Sequence, residues 1–401
     1  MYISRFLEKD IIQCLGRREI IGVVGPRQSG KTTLLRRIFS GLKNAHFLDF
    51  EDRETLELFN EDVKSFVELY VKPYKYLFID EFQYAEQGGK NLKYIYDNYK
   101  TKIIISGSSA SGLSIHGIKF LVGRILTFNL YPLSFDEYLN YKEPELYKNI
   151  YMKRRLTKLI IEKILPYFNK FCIYGGYPRV VLSKKPEEKE LILRNIYNTY
   201  FLKEIKEILN IPEDYKLSKL IRALSLQTGN LLNYNELSNI TALNYKDLLK
   251  NLNVLEKTFI CQKTLPFYTN KRTELAKAPK VFFYDNGFRN IVIKDFSPLE
   301  YRPDKGALYE NFVATELIKK QYELKYWRTK SKAEVDFVIE KNGKITPIEI
   351  KSSLKNSVLT KSFQSFIEKY KPKNAIVLSE RLCSEKNKTK FRPIFYINQE
   401  I

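Results

Sequence analysis

Three short, uninterrupted apolar runs early in the chain predict strands that are buried on both faces. They cover residues 20–24, 76–79 and 103–105, and the first and third are rich in β-branched side chains. Residues 33–38 follow the first run with apolar positions at helical spacing, so a strand, a loop and a helix succeed one another. This pattern predicts an α/β domain built on a parallel sheet.

Further along the chain the pattern becomes helical. The first such stretch, at residues 150–210, has its apolar positions on one face at Leu156, Leu159, Ile160, Ile164 and Leu165. Three more helical segments follow at residues 216–227, 234–240 and 244–257, and Asn233 and Asn244 stand where helix caps are expected. Strands at 258–264 and 281–284 enclose a basic loop. The order of these last three helices and two strands is typical of a winged helix.

The loop after the first strand carries a phosphate-binding motif. Its glycines allow backbone N–H groups and the start of the next helix to face an anion. Lys31 is predicted to reach the β- and γ-phosphates, and the Thr32 hydroxyl to ligate Mg²⁺. The sequence therefore predicts that ATP, with Mg²⁺, contacts Gly25, Pro26, Arg27, Gln28, Ser29, Gly30, Lys31, Thr32 and Thr33.

Polar residues that could complete an ATPase site follow the next two strands. Asp80 is predicted to hold the Mg²⁺ and Glu81 to polarise the attacking water. Ser106 and Ser108 are both candidates for a hydroxyl between Glu81 and the γ-phosphate, with a serine-rich turn as the alternative. Arg124 is a candidate arginine finger for a neighbouring copy, or else a structural residue.

Asn342-Gly343, between two alternating runs, is a strong signal for a β-hairpin with a two-residue turn. Such a turn fixes the register and sets Asp336 directly opposite Glu349, with Lys351 on the same face. Facing carboxylates repel each other, and a divalent cation relieves that cost. The hairpin therefore predicts a metal site at Asp336 and Glu349 with Lys351 beside it.

Charge is unevenly distributed along the 401 residues. The net charge is +22, of which residues 1–150 carry +2, residues 151–300 carry +11 and residues 301–401 carry +9. Such an excess favours a polyanionic partner through counterion release, although a merely lysine-rich protein would have the same composition.

Four scattered cysteines and two histidines argue against a zinc cluster or a disulfide framework. Without a signal-peptide pattern or an apolar span of about 20 residues, a cytoplasmic protein with no membrane partner is expected.

The motifs in their order resemble those of bacterial and archaeal AAA+-like ATPases with a C-terminal domain of unknown function. The motifs are the phosphate-binding loop, Asp80-Glu81-Phe82-Gln83, Ser106-Gly107-Ser108-Ser109, Leu121-Val122-Gly123-Arg124, Tyr131-Pro132-Leu133-Ser134-Phe135-Asp136-Glu137, Gly175-Gly176-Tyr177-Pro178 and Phe283-Tyr284-Asp285-Asn286-Gly287. The resemblance covers nearly the whole chain. It implies the ATPase fold, the helical lid and ATP binding, and says little about cellular role.

Asp336 followed by Glu349-x-Lys351 on the next strand resembles the core of the PD-(D/E)xK, restriction-endonuclease-like nucleases. That resemblance implies that Glu310, on a preceding helix, is a further ligand and that Gln364 lies on the helix after the hairpin. Ser352 and Ser353 depart from the pattern, and no His or Tyr stands out as a base. The alternatives are a charged hairpin face and a nuclease fold without turnover.

Together these patterns predict an α/β chain of four parts. They are a P-loop ATPase core at residues 1–149, a helical lid at 150–210, a winged helix at 211–290 and a restriction-endonuclease-like domain at 291–401. The expected function is an ATP-hydrolysing protein that acts on nucleic acid, DNA in preference to RNA, and that can form homo-oligomers. The predicted DNA contacts are Tyr245, Lys246, Lys250, Asn253, Lys271 and Arg272, and the alternative is that this module mediates only protein contacts. The alternative is a regulatory ATPase whose C-terminal domain is a non-cleaving scaffold.

Overall fold

Five parallel strands form the first sheet, in the order β2-β3-β4-β1-β5. The computed structural model describes residues 2–108, 120–152, 156–205 and 214–401, and this sheet belongs to a compact unit built mainly on residues 2–132. Its strands are β1 Ile20–Gly25, β2 Ala45–Asp49, β3 Tyr76–Asp80, β4 Lys102–Ser108 and β5 Ile125–Asn129. Its helices are α1 Leu7–Cys14, α2 Lys31–Phe39, α3 Arg53–Glu61, α4 Val63–Phe66 and α5 Gly88–Asn98.

Both faces of this sheet are covered, which confirms the prediction from the uninterrupted apolar runs. Ile21, Val23 and Ile104 pack on one face with the apolar side of α2. Ile103 and Ile105 face the other way, into a cluster that includes Phe59, Phe66, Leu92 and Ile95 from α3, α4 and α5. Alternate residues of one strand therefore enter two separate cores, as strand geometry requires.

Helices predominate in the next part of the chain, which belongs to a second compact unit built mainly on residues 133–401. They are α6 Phe135–Lys142, α7 Pro144–Tyr147, α8 Lys158–Tyr174, α9 Pro178–Leu182 and α10 Pro186–Asn195, with a π-helical segment at Ile196–Ile205. The helical prediction is confirmed where residues are described. Leu159 is an exception on its predicted apolar face, because it is 67% exposed at the start of α8.

The Gly175-Gly176-Tyr177-Pro178 motif has a structural explanation. Gly175 has φ 74°, and a Cβ there would lie 2.0 Å from an oxygen of Asp285. That carboxylate accepts hydrogen bonds from the backbone N–H groups of Gly176 at 2.7 Å and Phe288 at 2.9 Å. The two motifs that sequence reasoning could not connect therefore form one buried junction within the second unit.

Three helices and a strand pair follow within this unit. The helices are α11 Asp214–Leu226, α12 Tyr234–Thr241 and α13 Tyr245–Lys257, and the strands are β6 Cys261–Pro266 and β7 Lys280–Phe283, which pair antiparallel. Leu231, between the first two helices, bridges to Lys280 of β7. The predicted caps are confirmed, because Asn233 accepts from the N–H of Glu236 and Asn244 from that of Asp247. The prediction of a basic loop was wrong in one respect, because part of it forms a short helix, α14 Lys271–Ala276.

The last part of the chain adds most of a mixed eight-stranded sheet, in the order β12-β13-β11-β10-β9-β8-β6-β7. The strands are β8 Leu324–Arg328, β9 Glu334–Lys341, β10 Lys344–Ile350, β11 Ala375–Ser379, β12 Ser384–Lys386 and β13 Thr389–Pro393. The helices are α15 Asn286–Ile293, α16 Lys305–Lys319 and α17 Lys361–Tyr370. Strands β8, β9 and β10 form an antiparallel meander, and β11 pairs parallel to β10 after the α17 crossover.

The hairpin register is confirmed from the turn as far as Phe337, and the described ladder ends before the predicted pair of Asp336 and Glu349. Lys341 pairs with Lys344 and Phe337 with Ile348, and both turn residues have positive φ, as the two-residue turn demands. Val338 is fully buried and belongs to one apolar cluster with Val335 and with Phe363 and Phe366 of α17.

No helix in the described ranges is long and apolar enough to cross a lipid bilayer.

Candidate nucleotide-binding site and C-terminal carboxylate cluster

The phosphate-binding loop lies at the carboxyl edge of the parallel sheet, between the end of β1 and the start of α2. Gly25 packs so closely on the neighbouring chain segment that a Cβ would lie 2.1 Å from the carbonyl oxygen of Leu130. Gly30 caps α2 with φ 96°, and no side chain satisfies the first-turn N–H groups of that helix in the described part of the chain. Those N–H groups and the helix dipole form a site that suits an anion.

Lys31 is buried in this loop. Its ammonium donates to the carbonyl oxygens of Gly25 at 3.0 Å and Pro26 at 3.1 Å. The other predicted loop residues lie around it: Ser29 is fully buried, Arg27 and Thr32 are partly buried, and Gln28 and Thr33 are exposed. The Oγ of Ser29 is buried and has no hydrogen-bond partner among the residues that the structure describes.

Asp80 ends β3 and is fully buried. One carboxylate oxygen accepts hydrogen bonds from the N–H of Glu81 at 3.1 Å and from the hydroxyl of Ser106 on β4. The other oxygen is buried and has no partner among the described residues. An unsatisfied carboxylate oxygen is costly in a protein interior, and a bound cation would satisfy it. Asp80, Ser29 and Thr32 therefore suit the Mg²⁺–ATP that the loop implies.

Glu81 adopts an unusual backbone conformation, with φ 51°. Left-handed conformations are uncommon for residues other than glycine, and they cluster at functional sites. The side-chain amide of Gln83 donates to the Glu81 carboxylate, and the amide oxygen of Gln83 accepts from the N–H of Ser108 at 3.1 Å. Sequence reasoning placed a serine hydroxyl beside Glu81, whereas the structure places Ser106 against Asp80 and Gln83 against Glu81. Ser109 lies outside the described residues.

Arg5 is a second residue whose contribution the sequence did not indicate. It is buried, and its guanidinium donates to the carbonyl oxygens of Ser29 at 2.8 Å and Tyr131 at 2.6 Å. It therefore ties the phosphate-binding loop to the segment that follows β5. A partner more than 100 residues away along the chain leaves no local sequence signal.

Arg124 lies away from this site. It immediately precedes β5, and its carbonyl oxygen accepts from the N–H of Ile20 at the beginning of β1. It is therefore at the amino edge of the sheet, whereas the phosphate-binding loop is at the carboxyl edge. Its guanidinium donates to Asp97 at 2.9 and 3.3 Å. In this arrangement Arg124 cannot serve the site of its own chain.

Asp336, Glu349 and Lys351 lie in one cluster. Glu349 is buried, and it accepts from the hydroxyl of Thr360 at 2.7 Å and from the ammonium of Lys351 at 3.0 Å. Asp336 accepts from the N–H of Ile350 at 2.6 Å, on the neighbouring strand. Burial raises the pKa of Asp336, and the negative charge of Glu349 adds to that increase.

Two further acids and an unexpected cation join this cluster. Glu310 lies on α16, and burial followed by the charge of Asp336 raises its pKa. Lys280, which sequence reasoning placed at the end of the basic loop, is only 2% exposed. Its ammonium pairs with Glu334 and lies 3.9 Å from Glu310. An internal cation thus neutralises part of the carboxylate cluster.

No three His, Cys, Asp or Glu side chains in the part of the chain that is described are arranged to hold a metal ion. An ion at Asp336 and Glu349 would consequently take most of its ligands from water or substrate. Mg²⁺ is commonly bound in this way, through one or two carboxylates and several waters.

The predicted DNA contacts on α13 are available. Tyr245, Lys246, Lys250 and Asn253 are all exposed, and neither lysine forms an ion pair within the described residues. Lys271, by contrast, lies 3.3 Å from Glu274 and 3.2 Å from Glu340, so its charge is already compensated. Arg272 is exposed on α14. The stronger candidate surface is therefore the third helix.

Three family models match separate parts of the chain. Residues 17–139 match an AAA domain, residues 165–299 a domain of unknown function (DUF8612) and residues 305–395 a domain of unknown function (DUF4143). With the loop geometry described above, the first match defines the N-terminal region as P-loop ATPase-like. The descriptions of the second and third models name neither a winged helix nor a nuclease.

Related proteins are similar over most of their length. An uncharacterised protein of Haemophilus influenzae is 29% identical over 351 residues, which are 82% of this chain and 81% of the relative. An uncharacterised protein of Methanocaldococcus jannaschii is 26% identical over 358 residues, or 84% of this chain and 75% of the relative. Among solved structures, a Walker-type ATPase of Pyrococcus abyssi aligns over 73% of this chain and 96% of its own, with 17% identity and a TM-score of 0.42.

Proposed function

We propose that this protein binds and hydrolyses ATP at the phosphate-binding loop and acts on DNA through residues 214–284. The observation that carries the ATPase is the pair of buried oxygens of Asp80 and Ser29 at the carboxyl edge of the sheet, neither of which has a partner among the described residues. Each is costly to bury without a partner, and each is placed to be satisfied when Mg²⁺–ATP is bound. A Mg²⁺ ion bound at this site would neutralise part of the negative charge of the ATP phosphates.

The roles of the side chains follow from their positions. Lys31 leaves the carbonyl oxygens of Gly25 and Pro26 to contact the β- and γ-phosphates. Ser106 fixes the orientation of Asp80, which with Thr32 holds the ion. Glu81 accepts the proton of the attacking water, and Gln83 orients its carboxylate.

Replacing Lys31 with alanine tests the site. Lys31→Ala should weaken ATP binding by about tenfold to a hundredfold, since a hydrogen bond to a charged group contributes about 1.5–3 kcal/mol. Isothermal titration with a slowly hydrolysed ATP analogue measures this affinity. The matched control is Lys43→Ala, which removes a lysine outside the loop. Equal affinity in both variants would place the nucleotide elsewhere.

The DNA role is supported by the arrangement of residues 214–284. Three helices, a bridge from the segment after the first helix to β7, and an antiparallel strand pair occur in the order expected of a winged helix. The exposed cations of α13 suit the major groove of B-form DNA. RNA is a poorer fit because the major groove of an A-form helix is too narrow for a helix to enter.

A second candidate activity is metal-dependent phosphodiester cleavage at the C-terminal cluster. The order α16, β8, β9, β10, α17, β11 is the order expected of the PD-(D/E)xK core, with Glu310 on the first helix and Gln364 on the second. In this proposal Asp336 and Glu349 hold Mg²⁺ or Mn²⁺, and water or substrate supplies the remaining ligands. Lys351 orients water or stabilises the charge that develops on the phosphate.

The rival proposal is a non-cleaving scaffold, and Lys280 favours it by neutralising the acids without metal. Calorimetric titration of Mn²⁺ and cleavage of labelled DNA should be compared between the wild type, Asp336→Asn and Glu368→Gln, an exposed control on α17. The nuclease proposal predicts that only Asp336→Asn loses both metal binding and cleavage. A wild type that takes up no Mn²⁺ at millimolar concentration would establish the scaffold.

A further inference from the structure

A large cavity in the second unit lies apart from both sites described above. It has a volume of about 860 Å³ and is lined by α10, the π-helical segment after it, α11 and the end of α15. This volume lies within the range of about 300–1,000 Å³ that is usual for ligand pockets. Neither the family matches nor the sequence motifs assign any role to it.

The cavity concentrates positive charge that has no internal counterpart. Arg194, Lys219, Arg222 and Lys294 line it together with a single acid, Glu190. None of the four cations forms an ion pair within the described residues, whereas the nearby buried Arg289 pairs with Asp304. Four like charges around one concave surface repel one another, and low-dielectric walls intensify the field that attracts an anion. The natural occupant is therefore negatively charged.

Aromatic and apolar side chains make up the rest of the lining. Tyr197 is half-buried and Tyr215 is half-exposed, with Lys219 5.3 Å from the centre of the Tyr215 ring. Phe296 stacks on Tyr174 at 5.6 Å, and Ile291 and Val292 add an apolar floor. Exposed rings beside cations suit a ligand that combines phosphate with a planar base, because bases stack on aromatic faces while the cations contact the phosphates. An acidic peptide would use the charges but not the rings.

We propose that this cavity binds a nucleoside phosphate, presented by a single nucleic-acid strand or free in solution. Phosphates contact Arg194 and Arg222, and a base stacks on Tyr215. The proposal does not depend on the winged-helix proposal, since the cavity and the exposed face of α13 are lined by different residues. It gives the basic second unit a site for unpaired nucleotides in addition to a surface for duplex DNA.

Binding of fluorescein-labelled octathymidylate to the full chain tests the proposal. Arg194→Ala/Arg222→Ala should weaken binding by about tenfold or more. The variant should also reduce the slope of log Kd against the logarithm of salt concentration by about 1.4. Each single-strand phosphate that an arginine neutralises contributes about 0.7 to this slope, and the variant removes two arginines. Lys158→Ala/Lys163→Ala removes the same charge from exposed positions of α8 and should change neither value appreciably. Equal decreases in affinity for the two variants would overturn the proposal.

Two further arms separate the sources of the ligand and keep the result independent of folding. Tyr215→Ala should weaken binding while Tyr215→Phe retains it, because stacking needs the ring and not the hydroxyl. Displacement of the labelled strand by thymidine monophosphate would support a free nucleotide, and displacement only by unlabelled octathymidylate would support a strand. Displacement by oligoglutamate at equal charge concentration would overturn the proposal.

Discussion

Glu81 and Gln83 form the residue pair on which turnover should depend most. Gln83 holds the Glu81 carboxylate with its amide nitrogen and the N–H of Ser108 with its amide oxygen. It thereby links the proposed water-polarising group to the end of β4, the strand beside the phosphate-binding loop. A single side chain thus sets the direction in which the carboxylate points.

Gln83→Ala should lower kcat for ATP hydrolysis by about tenfold or more and leave KM nearly unchanged. The hydrogen bond from Gln83 to the Glu81 carboxylate contributes about 1.5–3 kcal/mol, and without it the carboxylate loses its orientation toward the attacking water. Nucleotide binding does not use this hydrogen bond, so KM should not change. Steady-state hydrolysis assays separate the two constants. Gln87→Ala, an exposed glutamine at the start of α5, is the control. A raised KM with unchanged kcat would mean that Gln83 contributes only to binding.

At this scale the sequence located residues whose type and spacing form a motif, such as Lys31, Asp80 and Glu81. It did not locate Arg5, Gln83 and Lys280 as functional residues. Arg5 and Lys280 act through partners far away along the chain, and Gln83 acts through a turn whose geometry depends on the positive φ of Glu81. Such interactions are set by tertiary packing and leave no periodic signal.

The elements themselves were largely predictable. Continuous apolar runs located β1, β3 and β4 because a doubly covered sheet excludes polar side chains from its strands. The hairpin register followed from Asn342-Gly343 alone. One element-level prediction failed where packing decides the outcome: α14 forms where a loop was expected, with Glu274 buried against Lys325.

The third helix of the proposed winged helix carries the prediction for duplex DNA. Lys246→Ala/Lys250→Ala should weaken duplex binding by about tenfold. It should also reduce the slope of log Kd against the logarithm of salt concentration by about 1.8, because each of the two neutralised duplex phosphates contributes about 0.9. Lys271→Ala/Arg272→Ala should have a smaller effect, because Lys271 is already paired with Glu274 and Glu340. Fluorescence anisotropy at several salt concentrations measures both quantities. A larger decrease in affinity for the second variant would move the DNA surface to α14.

Across the whole molecule, the excess positive charge and the proposed nucleotide site lie in different parts of the chain. Residues 1–150 carry a net charge of +2 and hold the proposed nucleotide site, while the excess positive charge lies in the rest. ATP binding and polyanion binding are therefore expected in different parts of the protein. The position of Arg124 at the amino edge of its sheet adds one constraint, because any role for it in catalysis requires a second copy of the chain. The role of Arg124 could not be decided from the sequence, because the sequence does not predict the register in which β5 pairs with β1.

The measurement that most directly tests ATP hydrolysis at this site is turnover by Glu81→Gln, made alongside ATP binding. The substitution preserves size and removes the base, so affinity should stay within about threefold while kcat falls by about a hundredfold or more. Glu86→Gln, an exposed acid in the same segment, should behave like the wild type in both assays. Hydrolysis by Glu81→Gln at the wild-type rate would contradict the assignment of Glu81 and the catalytic site built around it.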